Sequence, residues 1–225
     1  MTANASPAVA KRDSYHHNDL RDAVIAKAVE FISERGGPTF SLRELATSLG
    51  VSHAAVYRHF SDKDGLLECL TELGFREMRR YQQAAQATAG DAPLSQLTAL
   101  CSAYLDFSVE QRGYFALMFH ASPISEATAA ARDRHNADAL DALVSTIRAA
   151  QANGDIVAGD PERIAAYLVL APHGLASFQA QGHIPAFIAR HDPGPMTTDW
   201  LALLILQPLL TTPLPPDEVT HRFLT

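Results

Sequence analysis

Hydrophobic residues recur along most of the chain with the spacing of an α-helix. Leu20, Val24, Ala28 and Ile32 are four residues apart and define the buried side of a first helix, which we expect to end before Gly36-Gly37-Pro38. No segment shows the alternation of apolar and polar residues that is typical of a half-buried strand. The pattern therefore predicts an all-α protein.

Two short helices are predicted next. Ser41 and Glu44 have the spacing of a capping box, and apolar residues follow at i, i+3, i+4 and i+7. Gly50 ends this second helix, and Ser52 is a good cap for a third. Two short helices joined by a glycine turn form a helix-turn-helix.

The chain after residue 60 is also expected to be helical. Ser61 and Asp64 match a second capping box, which opens a long helix over about residues 62–87. Prolines are expected in the first turns of helices at Pro93, Pro123 and Pro161. Pro172 and Pro208 lie inside apolar runs, so they are expected to kink or end their helices. Further breaks are predicted at Gly90-Asp91, Arg112-Gly113, Asn153-Gly154 and Asp192 to Pro195.

The third short helix has one side suited to burial and another suited to contact. At about 100° per residue, Val56 and Phe60 point inward, whereas Ala54 and Arg58 face outward with Tyr57 on the flank. A small residue, a phenol and a guanidinium on one outward side fit insertion into the major groove of DNA.

Residues around that helix extend the candidate surface. Arg43, His53 and Tyr57 can reach base edges or phosphates, while His59 and Lys63 lie at the start of the next helix. The alternative stays open that the motif occurs in a protein that never binds DNA. On that view Arg58 and Lys63 are ordinary solvated side chains.

Charge restricts where DNA can bind. The net charge is −7, but residues 1–85 hold 11 Lys and Arg against 11 Asp and Glu, and residues 86–225 hold 7 against 14. Only the first third can face phosphate. The start of the chain lacks the features of a secretory signal, no apolar run reaches the roughly 20 residues of a membrane span, and only Cys69 and Cys101 are present. We expect a cytoplasmic protein without a cofactor or metal.

The first third of the chain resembles the amino-terminal domain of TetR-family (tetracycline-repressor-type) transcriptional regulators. The resemblance is carried, in this order and spacing, by Leu42-Arg43-Glu44-Leu45-Ala46, Leu49-Gly50-Val51-Ser52, Val56-Tyr57-Arg58-His59-Phe60, Lys63 and Leu66-Leu67. Tyr15 to Arg21 is similar to the lead-in of one branch of the family. The resemblance implies base or phosphate contacts by Arg43, His53, Ala54 and Tyr57, and phosphate contacts by Ser41, His59 and Lys63. The full set of candidate DNA-contacting residues is Ser41, Arg43, Ser52, His53, Ala54, Tyr57, Arg58, His59 and Lys63.

The resemblance also implies a division of the chain. Residues 1–18 are expected to be a mobile arm, 19–66 a DNA-binding domain, and 67–225 a helical domain for dimerisation and ligand binding. The segment from Ala166 to Leu175 is similar to a helix with a His-Gly pair in one subclass of these domains, although Pro172 departs from that pattern. The expected dimer interface uses the helices from Pro161 to Gln181 and from Trp200 to Leu210.

Aromatic residues and histidines in the second part of the chain are candidates for an effector pocket. They fit a moderately hydrophobic ligand, with His120 and His173 as polar handles; each can equally be an ordinary core residue. The candidates are Tyr104, Phe107, Phe115, Met118, Phe119, His120, His173 and Phe178.

The implied function is a homodimeric repressor that a small molecule releases from a palindromic operator in double-stranded DNA. Two alternatives remain. One is a DNA-binding protein without a ligand. The other is an enzyme with an incidental helix-turn-helix, although no G-x-S-x-G, H-E-x-x-H or phosphate-loop motif occurs in the sequence.

Overall fold

The computed structural model describes residues 17–119, 126–180 and 197–212. Over these residues the chain is helical, without a β-strand beyond one isolated bridge between Ile156 and Leu210. The predicted all-α fold is confirmed. The elements are α1 (His17–Arg35), α2 (Leu42–Ser48), α3 (His53–Tyr57), α4 (Lys63–Thr88), α5 (Pro93–Glu110), α6 (Arg112–Met118), α7 (Glu126–Ala152), α8 (Pro161–Ala180), α9 (Thr198–Leu206) and a 3₁₀ turn (Gln207–Leu209).

The helix-turn-helix forms as the local sequence predicts. The hydroxyl of Ser41 accepts a hydrogen bond from the backbone N–H of Glu44 at 3.1 Å, and Ser52 does the same for Ala55 at 3.2 Å. Gly50 lies in the turn that follows α2 and has φ +67°, a conformation that L side chains rarely adopt.

The start of α4 corrects the second predicted capping box. The N-cap is Asp62, whose carboxylate accepts from the backbone N–H of Gly65 at 2.8 Å, while Ser61 donates its hydroxyl to Asp62 at 3.1 Å. This N–H, followed by the Ser61 hydroxyl, lowers the pKa of the Asp62 carboxyl. The carboxylate carries a negative charge beside the positive end of the helix, where a hydroxyl contributes less.

Two buried clusters organise the molecule. The first joins α1, α2, α3 and the start of α4; in it Val56 of α3 is fully buried, and Phe60 beyond the helix end is nearly so, as predicted. The second lies among α4, α5, α7, α8 and α9, with α5 packed against most of the others. Both clusters share α4, and Leu117 of α6 belongs to the first, so α4 and α6 connect them.

The predicted break near Arg112-Gly113 is confirmed, because α5 ends at Glu110 and α6 begins at Arg112; Gly113 itself lies inside α6. A glycine is required at this position because α6 packs closely against α1. A β-carbon there would lie 2.4 Å from the carbonyl oxygen of Val29, so only glycine permits this approach of α6 to α1.

The prolines and the other predicted breaks are partly confirmed. Pro93 and Pro161 occupy first turns, Pro208 follows the end of α9, and α7 ends before Gly154. Pro172, in contrast, does not end its helix, which continues to Ala180. Pro123, the break from Asp192 to Pro195, and nearly all of the predicted arm lie outside the described residues.

Candidate nucleic-acid interface and effector cavity

The outward side of α3 carries the predicted contact residues. His53, Ala54 and Arg58 are exposed, and Tyr57 keeps 51% of its surface exposed although its neighbour Val56 has none. A tyrosine this exposed on a short helix has its ring in solvent, where a second molecule can cover it. The helix thus presents a small residue, two polar rings and a guanidinium on one surface.

The two capping serines have a structural role as well as a candidate contact role. The oxygens of Ser41 and Ser52 are engaged as acceptors for backbone N–H groups. A hydroxyl that accepts in this way still has its own hydrogen to donate, and a phosphate oxygen is an acceptor. Arg43 is exposed one residue into α2.

Lys63 has a structural role in addition to its predicted contact with DNA. Its ammonium group donates to the carbonyl oxygen of Pro38 at 2.5 Å and lies 5.1 Å from the centre of the Phe40 ring. It therefore fastens the turn after α1 to the start of α4. An ammonium group has three hydrogens, so two remain for other acceptors. His59, four residues before Lys63, is half-buried.

An ion pair behind the candidate interface was not predicted. Arg35 at the end of α1 lies 2.7 Å from the Glu44 carboxylate of α2 and also donates to the carbonyl of Thr39 at 2.9 Å. The hydrogen bond to Arg35 lowers the pKa of Glu44, and the same bond raises that of Arg35. The pair sets α2 against α1. No local pattern relates residues nine positions apart across a turn.

A cavity of about 600 Å³ lies among α4, α5, α7 and α8. Its volume is that of a small-molecule site. Among the predicted residues, Tyr104, Phe119 and His173 line it. The other lining residues are Phe75, Met78, Arg79, Gln82, Gln83, Gln86, Leu100, Cys101, His135, Ala139, Leu140, Ala142, Leu143, Leu168, Val169, Leu170 and Pro172.

The remaining pocket candidates lie elsewhere. Phe107, Phe115 and Met118 are buried in the second cluster and do not line the cavity. Phe178 is 42% exposed and also does not line it. His120 lies outside the described residues. The sequence could not separate these residues from the lining residues, because aromatic residues in the core and in a cavity wall occur in the same sequence pattern and only helix packing distinguishes them.

Tyr104 and His173 form a polar pair in the cavity wall. The tyrosine oxygen lies 2.7 Å from Nδ1 of the histidine, and the imidazole is ringed by Phe115 and Phe119 at 5.8 and 4.8 Å between ring centres. Burial raises the pKa of Tyr104 and lowers that of His173. Both side chains are therefore neutral at pH 7. The two uncharged side chains can therefore form hydrogen bonds with a ligand.

Charged residues that the sequence did not predict also line the cavity. Arg79 of α4 lies 2.9 Å from Nδ1 of His135 on α7, and Nε2 of that ring lies 2.9 Å from the Glu72 carboxylate. The three side chains connect α4 to α7. Cys101 also lines the cavity, where burial raises its pKa to about 12, so its thiol is not reactive at neutral pH.

Apolar side chains are exposed on α8 and α9. Val169 and Leu170 keep 50% and 69% of their surface exposed, and Leu204 keeps 43%. These helices are the ones the sequence suggested for a dimer interface. Within the described ranges, no cluster of His, Cys, Asp and Glu is arranged to hold a metal ion, and no helix is long and apolar enough to cross a bilayer.

Two family models match separate parts of the chain. Residues 24–70 match bacterial regulatory proteins of the tetR family, and residues 97–196 match the tetracyclin repressor-like C-terminal domain. An uncharacterised HTH-type transcriptional regulator of Haemophilus influenzae is 33% identical over 131 residues, which is 56% of this chain and 63% of that protein. The chain spans only 44% to 63% of the length of eight curated relatives that it matches, including this one.

Solved structures share the fold over most of the chain. A protein of unknown function from Rhodococcus sp. RHA1 is 31% identical with a TM-score of 0.68, over 89% of this chain and 100% of that one. AibR, whose structure contains isovaleryl coenzyme A and operator DNA, is 19% identical with a TM-score of 0.65, over 84% and 97% of the two chains. At that identity the second likeness concerns the fold alone.

Proposed function

The chain belongs to the TetR family of bacterial regulatory proteins, and on that premise we propose that it is a homodimeric repressor released from its operator by a small molecule. The observation that carries the proposal is the exposed side of α3, where Tyr57 stands in solvent beside a fully buried Val56. The buried side of such a helix fixes its position in the domain, and its exposed side is accessible to DNA.

We assign the contacts from this geometry. Tyr57, His53 and Arg43 reach base edges or phosphates, and Ala54 allows the backbone to approach the groove. The hydroxyls of Ser41 and Ser52 and the amino end of α4 hold phosphates at the edges. Such an assignment explains why α2 and α3 are capped by side chains that keep a hydrogen to donate.

Two copies are required to read a palindrome, because each copy places one recognition helix in one major groove about 34–36 Å from the other. We place the dimer interface on α8 and α9, where exposed apolar side chains would be covered by the second copy. A regulator of chromosomal DNA acts in the bacterial cytoplasm, which is the location expected from the sequence.

The cavity supports a ligand-responsive mechanism. AibR, of the same fold, is seen with both isovaleryl coenzyme A and operator DNA. A ligand releases operator only if it binds the DNA-incompetent form more tightly, and operator must then weaken ligand binding by the same factor. The cavity of about 600 Å³ favours this mechanism over an architectural protein without a ligand, and the family favours a regulator over an enzyme.

The test begins with selection of bound sites from random DNA duplexes. On the selected operator, Arg43→Ala and Tyr57→Ala should each weaken binding about tenfold or more, the effect of losing one specific base contact. Arg148→Ala is the matched control, because Arg148 is exposed on α7, which packs on α4, α5 and α8 rather than on the helix-turn-helix, and it should not change operator affinity.

Salt dependence provides an independent measurement. Because the first 85 residues carry no net positive charge, we expect a modest dependence of affinity on salt. Wild-type affinity in both contact variants, or a logarithmic salt slope near ten, would refute the proposed interface.

A further inference from the structure

A second space, which we call the crevice, adjoins the effector cavity. It has a volume of about 520 Å³ and opens more widely to solvent than the cavity does. Arg79 and His135 line both spaces, so they form a shared wall between them. The crevice is lined by Arg21, Cys69, Glu72, Leu73, Arg76, Arg79 and His135.

The crevice is positively charged. Its lining has three guanidinium groups, from Arg21, Arg76 and Arg79, and a single carboxylate, that of Glu72. That carboxylate is engaged by Nε2 of His135 at 2.9 Å. Because Nδ1 of the same ring faces the guanidinium of Arg79 at 2.9 Å, Nδ1 accepts and Nε2 carries the hydrogen. In this arrangement the ring accepts from Arg79 and donates to Glu72.

Two of the arginines have weak neutral partners. Arg79 donates to an imidazole nitrogen, and Arg21 donates to the sulfur of Cys69 at 3.0 Å. Sulfur is a weak acceptor, whereas hydrogen bonds from guanidinium to an anion are roughly twice as strong as neutral ones. An anion in the crevice would therefore form stronger hydrogen bonds with Arg79 and Arg21 than His135 and Cys69 do.

Because the crevice adjoins the cavity, one ligand can occupy both, and their different linings indicate its chemical class. The cavity wall is mainly apolar, with the neutral Tyr104–His173 pair in it, whereas the crevice is cationic. We propose that the effector is an amphipathic anion, whose apolar part occupies the cavity and whose anionic head group binds the guanidinium groups of Arg21, Arg76 and Arg79 in the crevice. This inference rests on the proposed function of a ligand-responsive regulator.

The same placement connects the head group to the DNA-binding domain. Arg21 lies on α1, and its guanidinium is 5.4 Å from the centre of the Phe60 ring, which follows the recognition helix. An anion that attracts Arg21 withdraws it from Phe60. An anion that attracts Arg79 also breaks the Arg79–His135–Glu72 connection between α4 and α7. Both changes act on helices that hold α3 in place.

The test compares three probes with one alkyl length: decanoate, decanoyl-coenzyme A and the neutral decanol. Calorimetric titration of the full chain should give at least about tenfold tighter binding for one or both anions than for decanol. A carboxylate head group is indicated if decanoate binds tightly, and a phosphate-bearing one if only the coenzyme A ester does. Arg76→Gln should lower the affinity for the anion about tenfold and leave decanol unchanged.

Arg80→Gln is the matched control, because Arg80 is on the same helix but pairs with Glu77 at 2.6 Å and lines neither space. Its affinities should equal those of the wild type. Equal binding of decanol and the anions, unchanged anion affinity in Arg76→Gln, or no binding of any probe overturns the proposal. Operator binding measured without a probe is independent of these outcomes. It fails only if the regulator assignment itself is wrong.

Discussion

The contact between α1 and α6 depends on the absence of a side chain at Gly113. A β-carbon there would lie 2.4 Å from the carbonyl oxygen of Val29 and 2.7 Å from its Cγ1 atom. Non-bonded heavy atoms pack at about 3.5 Å, so Gly113→Ala must move the two helices apart by roughly 1 Å. The obstructing atom belongs to backbone, which cannot rotate away as a side chain can.

The cost can be worked from two opposing effects. Overpacking of this kind costs about 1–3 kcal/mol. Alanine inside a helix is favoured over glycine by about 1 kcal/mol. We therefore expect Gly113→Ala to lower the free energy of unfolding by up to about 2 kcal/mol. Because α1 supports the helix-turn-helix, operator affinity should fall in the same variant.

Urea denaturation followed by circular dichroism measures the effect, with Gly174→Ala as the control. Gly174 also lies inside a helix, α8, but an added β-carbon there would have no atom within 4 Å. This variant should be as stable as the wild type or more stable by up to about 1 kcal/mol, from helix propensity alone. If both variants are equally stable, α1 and α6 are not in the close contact described.

Three further predictions concern single side chains. Burial raises the pKa of Asp106, so its stabilising effect is present below the unfolded-state pKa and lost as pH rises through the folded one. In thermal melts, Asp106→Asn should be more stable than the wild type by less than about 1 kcal/mol near pH 7 and equally stable near pH 3, since the carboxyl is only half-buried. A stability difference that does not change with pH would contradict this prediction. A thiol reagent should modify half-buried Cys69 first and Cys101 only on unfolding, and simultaneous modification would contradict the burial of Cys101. Ser52→Ala should cost about 1 kcal/mol in chemical denaturation by removing the cap of α3, whereas Ser52→Asp retains it; equal stability of the two would count against the cap.

The helix-turn-helix was predictable because its determinants are local. Ser41, Gly50 and Ser52 act on backbone groups within three residues, so their effect is recorded in the adjacent sequence. Even there one choice needed coordinates. Ser61 and Asp62 are adjacent candidates for the N-cap, and the spacing to Asp64 favours Ser61, but it is the carboxylate of Asp62 that accepts from the N–H of Gly65.

The cavity was predictable only in part. Tyr104 and Phe107 are both aromatic and lie three residues apart on α5, yet Tyr104 lines the cavity and Phe107 is fully buried outside it. Helical periodicity cannot separate them, because α5 packs against other helices on most of its surface and has no polar side to orient it.

The sequence by itself determined where α2 and α3 begin and end, which side of α3 faces outward, and that acidic charge is concentrated after residue 85. Each of these follows from neighbours along the chain. Only the tertiary structure decided which side chains meet across helices. Arg79 and His135 are 56 residues apart, and their contact exists because α4 packs against α7. Packing of that kind depends on the shapes of whole helices, which no short sequence pattern records.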